Sequence, residues 1–118
     1  MFDRKLYSIG RKVGFHYHLD EIPLLWSEVD LDIHTTEMSV SIAAGILEVA
    51  GNDISYCMDV VIPELRRVGD PPYETDTDLF LGIIGGSSFG WGRPGDRKVL
   101  ERIITSVVAE LRDRLSKM

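Results

Sequence analysis

Three features of this 118-residue chain predict an α+β domain with a mainly antiparallel sheet and two helices packed on one face. Residues 26–34, "WSEVDLDIH", alternate apolar and polar side chains. Residues 79–84, "LFLGII", form a short unbroken apolar run. Residues 95–115 carry an apolar stripe at helical spacing. Period two marks a half-buried strand, a bounded apolar run fits a strand covered on both sides, and a 3.6-residue repeat marks an amphipathic helix. Strands and helices in that order suggest helices on one side of a sheet.

The elements follow from the N-terminus. Residues 2–13 place Phe2, Leu6, Ile9 and Val13 at near-helical spacing, although Gly10 weakens a helix there. The same residues also fit the approach to a strand through "KVGFHYHL", which Pro23 ends. In residues 26–34, Val29, Leu31 and Ile33 take one side of the expected strand, and Glu28, Asp30, Asp32 and His34 the other. Residues 37–50 satisfy two patterns, a helical stripe of Met38, Ile42, Ile46 and Val49 and an alternation of Met38, Val40 and Ile42 with serines. Length, the Ala-rich second half, a threonine cap at Thr35 or Thr36, and Gly51 as a stop favour the helix. Residues 54–62, "ISYCMDVVI", read as a strand ended by Pro63, and the polar "RRVGDPPYETDTD" as a loop. The last helix opens near Pro94 and buries Val99, Leu100, Ile103, Ile104, Val107, Val108, Leu111 and Leu115.

A chain of this length with 44% apolar residues is expected to form a single domain with a sizeable core. The one cysteine, Cys57, excludes an internal disulfide framework and reads as a buried, inert thiol. The opening residues lack the apolar core of a signal peptide, and no apolar run approaches the roughly 18 residues of a membrane span, so a cytoplasmic location is the expectation. Net charge is −6. The charge is uneven: residues 13–92 hold fourteen acids against Arg66 and Arg67, while both ends are mildly basic. An acidic centre disfavours nucleic acid and anionic lipid, and favours a cation or a basic protein surface.

All three histidines fall within residues 14–34. If "FHYHLD" is extended, His16, His18 and Asp20 share one side. A hairpin with the next strand then brings His34 and several carboxylates alongside. Histidine and carboxylate ligands suit zinc or another borderline divalent ion, with Glu37 three residues beyond His34 as a further ligand. Near-neutral imidazoles also suit proton transfer. The simplest alternative is a solvated sheet face, whose crowded acids would be relieved by a basic partner.

The glycine-rich "GIIGGSSFGWGRPGDR" lies between an expected strand and a helix, where anions bind. Gly86, Ser87 and Arg93 are its candidate anion contacts, although no P-loop pattern is present. Trp26 and Trp91 are candidate interface anchors.

Three short resemblances accompany these patterns. The segment "DIHTTEMSVS" resembles the metal-ligand segment of the creatininase family, which implies ligation by His34 and Glu37. Residues 23–115, through Arg67, "DLFLGII" and "WGRPGDRKVLERI", look like the carboxymethyl-hydroxymuconate isomerases of the tautomerase superfamily. That family's base is an N-terminal proline amine, whereas Pro23 here is an internal amide. "HLDEIPLLWSEVDLDIHTT" is similar to the pterin-carbinolamine dehydratases, without their adjacent histidine pair.

These observations lead to one main expectation. The chain is a small acidic, non-catalytic binding protein of inhibitor, immunity or assembly type, and a homo-oligomer. It offers Glu28, Asp30, Asp32, Trp26 and Trp91 to a basic partner or to itself, not to nucleic acid or membrane. The alternative is a metal-assisted hydrolase or proton-transfer enzyme using His16, His18, His34 and Glu37.

Overall fold

The computed structural model describes residues 2–16, 28–86 and 96–118, with side chains over 2–14, 35–86 and 100–118. It overturns the expected sheet: the described residues are helical and include no strand. The helices are α1 (Arg4–His16), α2 (Glu28–Ala50), α3 (Ile54–Tyr56), α4 (Ile62–Gly69), α5 (Asp78–Gly86) and α6 (Asp96–Ser116), with a π-helical turn, Cys57–Val61, joining α3 to α4.

Five of these helices close a ring. α5 packs on α1, α1 on α2, α2 on α6, α6 on α4, and α4 returns to α5. Each turns one stripe inward. The shared core includes Leu6, Ile9 and Val13 from α1, Ile42 and Ile46 from α2, Leu65 and Val68 from α4, and Leu79, Phe80 and Ile83 from α5. α6 contributes Leu100, Ile103, Ile104, Val107, Val108, Leu111 and Leu115, as its periodicity predicts.

The ends of the elements have local causes. Asp3 caps α1, its Oδ1 accepting from the amides of Lys5 at 3.0 Å and Leu6 at 3.1 Å. The helix expected over 37–50 exists, but it begins at Glu28, so the alternating "EVDLDIH" lies inside α2 and not in a strand. Its end matches expectation. Gly51 and Asn52 take left-handed φ values of 67° and 58°, and the Asn52 amide donates to the Leu47 carbonyl at 2.9 Å.

The strand expected over 54–62 is also helical. Cys57, Val61, Leu65 and Val68 are all buried, a series stepping by four, four and three residues that continues through Pro63. Pro63 therefore does not end the element; it stands in the first turn of α4. Its ring, lacking an N–H, would crowd the carbonyl four residues earlier in a regular α-helix. The π turn just upstream widens the helix there, with the Ile62 amide reaching back to the Cys57 carbonyl.

"LFLGII", expected as a doubly covered strand, is the body of α5. Glycine explains why so apolar a segment settles as a helix. α1 carries Gly10 and Gly14, and α5 carries Gly82 and Gly86, each pair four residues apart and therefore on one side of its helix. A Cβ on Gly10 would strike the Leu79 carbonyl, and one on Gly82 would strike the Tyr7 carbonyl. On Gly86 it would lie 2.5 Å from the Arg11 oxygen. Asp3 meets Asp78, Tyr7 meets Gly82 and Arg11 meets Gly86, so the two helices run parallel, backbone against backbone.

Candidate functional site

The residues singled out from sequence do not form one described site. His16 is the last residue of α1 and His34 lies in α2, while His18, Trp26, Ser87, Trp91 and Arg93 lie outside the described residues. The correction to the fold removes the shared strand face that was to unite them. In a helix, positions two apart are separated by roughly 200°. Glu28 and Asp32 therefore occupy a different side of α2 from Asp30 and His34. Glu37 is exposed one turn beyond His34. Among the described residues no three metal-capable side chains converge.

Gly86 closes α5, where the helix presents carbonyls. That end of a helix dipole favours cations over anions. Gly82 and Gly86 serve the contact with α1, and the strand expected before the glycine-rich segment is a helix.

A polar cluster lies elsewhere, at the corner where α4 passes through residues 70–77 into α5. Three local arrangements build it. Thr77 is buried and caps α5, its Oγ1 accepting from the Phe80 amide at 3.0 Å. Asp78, in the first turn of α5, accepts from the Asp3 amide at 2.8 Å through Oδ2, tying that helix to the start of α1. Arg67 reaches out from α4, donating through Nη1 to Glu64 Oε1 at 2.5 Å and through Nη2 to Glu74 Oε2. The Glu74 amide in turn donates to the Arg67 carbonyl at 2.8 Å. Hydrogen bonds to Glu74 and then Glu64 push the Arg67 guanidinium further up from its already high ordinary value, so it stays charged at any working pH.

These side chains bound an open cleft of about 310 Å³, lined by Leu6, Glu64, Arg67, Asp76, Thr77 and Asp78. Glu64, Asp76 and Asp78 line the cleft beside Arg67, Glu74 is hydrogen-bonded to Arg67, and Asp3 adjoins through Asp78, with Lys5 at the edge of the corner over Tyr56. Arg67 is already held by two carboxylates, and Asp76 is exposed with no ion pair among the described residues. The corner is net negative and suits a basic side chain brought from outside.

Tyr56 and Cys57 adjoin this corner at the π turn. The Lys5 ammonium stands 4.3 Å above the Tyr56 ring, a cation–π contact. Burial, then the charges of Asp3, Cys57 and Glu64, push the Tyr56 phenol up to about 12. Its hydroxyl is buried without a hydrogen-bond partner among the described residues. The Cys57 thiol is buried and its pKa is raised, mainly by desolvation and then by Asp53. This suits an inert core thiol and not a nucleophile.

The corner was missed because its residues sit in "ELRRVGDPPYETDTD", read only as a polar loop. The usable signal was the acids Glu74, Asp76 and Asp78 at every second position, following Glu64 and Arg67 at helical spacing. No helix among the described residues is long and apolar enough to cross a membrane. No family model, curated protein or solved structure matches the chain, and the three short resemblances find no counterpart among them.

Proposed function

We propose that this chain is a non-catalytic binding protein that presents an acidic surface to a basic partner. The surface is the α4–α5 corner, and it takes the place of the strand face expected from sequence. The observation that carries the reading is the imbalance there: four carboxylates, Glu64, Glu74, Asp76 and Asp78, beside Arg67, with Asp76 exposed and unpaired among the described residues. The hydrogen bonds that fix the corner also support it, because a preorganised surface loses less side-chain freedom on binding. Complementary charge of this kind speeds encounter and fixes partner choice more than it adds raw affinity.

The test is binding of wild type and Asp76→Lys to candidate basic proteins at low and high salt, about 50 mM and about 500 mM, where screening differs strongly. The expected result is capture that weakens with salt and is lost in the variant. Unchanged capture of every partner by Asp76→Lys would overturn the assignment.

A further inference from the structure

The seam between α1 and α5 carries an exposed face of the opposite character to the acidic corner. Phe2 is 56% exposed and lies against Tyr7, ring centres 5.3 Å apart. The Tyr7 hydroxyl rests on Gly85, where an added Cβ would come within 2.6 Å of it. One turn earlier on α5, Leu81 is 46% exposed, and Ile84 beside Gly85 is 40% exposed. Single exposed apolar side chains need no explanation, but these gather on both helices around the Tyr7–Gly85 contact, and such a grouping marks an interaction surface. Arg4 and Arg11 border it on α1, both exposed and two turns apart, about 10 Å along the helix. Neither has a carboxylate partner among the described residues. In a chain of net charge −6, these exposed arginines beside an apolar strip form the complement of the acidic corner.

We propose that the basic partner of the corner is a second copy of this chain, whose α1–α5 face receives it. This rests on the corner being a docking surface. The parallel run of α1 and α5 gives the arrangement its direction. Their N-termini meet at the corner, through Asp3 and Asp78, and the arginine-bordered face extends away from it. The corner of one copy therefore meets the face of the next, with the exposed Asp76 toward Arg4 and Arg11. The apolar strip lies under the contact. A two-fold pairing of the α1–α5 faces would set arginine against arginine and is disfavoured. The association is head-to-tail, which yields rings or open chains and not an isolated two-fold dimer.

The test is the mass in solution of purified wild type, Arg4→Glu/Arg11→Glu and Asp76→Lys, measured by light scattering and sedimentation at low and high salt. All three substituted positions are exposed, and circular dichroism verifies folding. Wild type is expected to associate at low salt and dissociate at high salt, while each variant alone is at least about tenfold weaker in self-association, as expected for one tenth or less of the affinity after losing a charge match. Mixed together, the two variants are complementary at both junctions: the intact corner of the first meets the intact face of the second, and their two reversed surfaces attract one another. They are expected to associate with each other at low salt although neither associates with itself. Leu81→Asp serves as a second disruption of the face.

A wild type that is monomeric under all conditions overturns self-association. If that monomer still captures basic proteins through Asp76, the corner remains a docking surface and only the identity of the partner is refuted; if it captures none, both fail. Association that survives both Arg4→Glu/Arg11→Glu and Leu81→Asp overturns the assigned face, as does a mixture that stays monomeric. Association lost in these variants but indifferent to Asp76→Lys overturns the role of the corner.

Discussion

Gly82→Ala is expected to destabilise the protein by about 2 kcal/mol, although alanine is the better helix former. On propensity alone the change stabilises an interior helical position by about 0.8–1 kcal/mol. At Gly82 the new methyl runs into the Tyr7 carbonyl and lies 3.0 Å from the Arg11 amide nitrogen. Both are main-chain atoms of a packed helix, so no rotamer change makes room. α1 and α5 must separate, and Leu79, Ile83 and Ile9 lose contact along the seam. Overpacking of this kind costs about 1–3 kcal/mol, and rigid backbone on both sides places the cost at the upper end, leaving a net loss of about 2 kcal/mol. At this length that corresponds to a fall in Tm of roughly 8 °C. Gly45→Ala is the internal control. It lies within α2, and a Cβ there meets only the Lys12 stem, no closer than 3.5 Å. It is expected to raise stability by up to about 1 kcal/mol. Urea and thermal unfolding followed by circular dichroism compare the two. A Gly82→Ala protein as stable as wild type would refute the backbone-to-backbone packing of α1 and α5.

Two further outcomes follow from the caps and the buried phenol. Asp3→Ala removes the acceptor for two α1 amides and is expected to cost about 1 kcal/mol, with Asp3→Asn retaining most of the cap; equal thermal stability of all three proteins would contradict the capping role. Tyr56 titrates near 12 in the folded chain against 10.0 for a free phenol, so the folded state holds its proton more tightly. Its contribution is fully present below pH 10 and is lost as pH rises through about 12. Tyr56→Phe is expected to lose less stability than wild type across that window, and superimposable alkaline profiles would count against the burial of the hydroxyl.

The sequence patterns that survived are those read over the longest windows. α6 and the second half of α2 show helical spacing over many turns, and both exist where expected. The failures are short segments in which one apolar spacing serves two structures. "EVDLDIH" alternates whether it stands in a strand or opens a long helix, and only its continuity with residues 35–50 decides. "ISYCMDVVI" misleads because Pro63 reads as a terminator, whereas the buried series Cys57, Val61, Leu65 and Val68 passes through it. The spacings Gly10–Gly14 and Gly82–Gly86 were visible, but their meaning needs both helices at once. The acidic corner was legible only in part, as the closely spaced acids of residues 74–78, because Asp3, Glu64 and Asp78 come together through the ring of helices and not along the chain.

The α1–α5 seam also bears on how the chain reaches its native state. It joins segments about seventy residues apart, so forming it closes a long loop before any of its own contacts are gained. Glycine supplies little adaptable side-chain surface with which to hold a loosely docked intermediate. Such a contact is expected to assemble late, after α2, α4 and α6 have gathered, and then to close in one step. Damage to it should accordingly appear mainly as faster unfolding, with refolding rates left nearly unchanged.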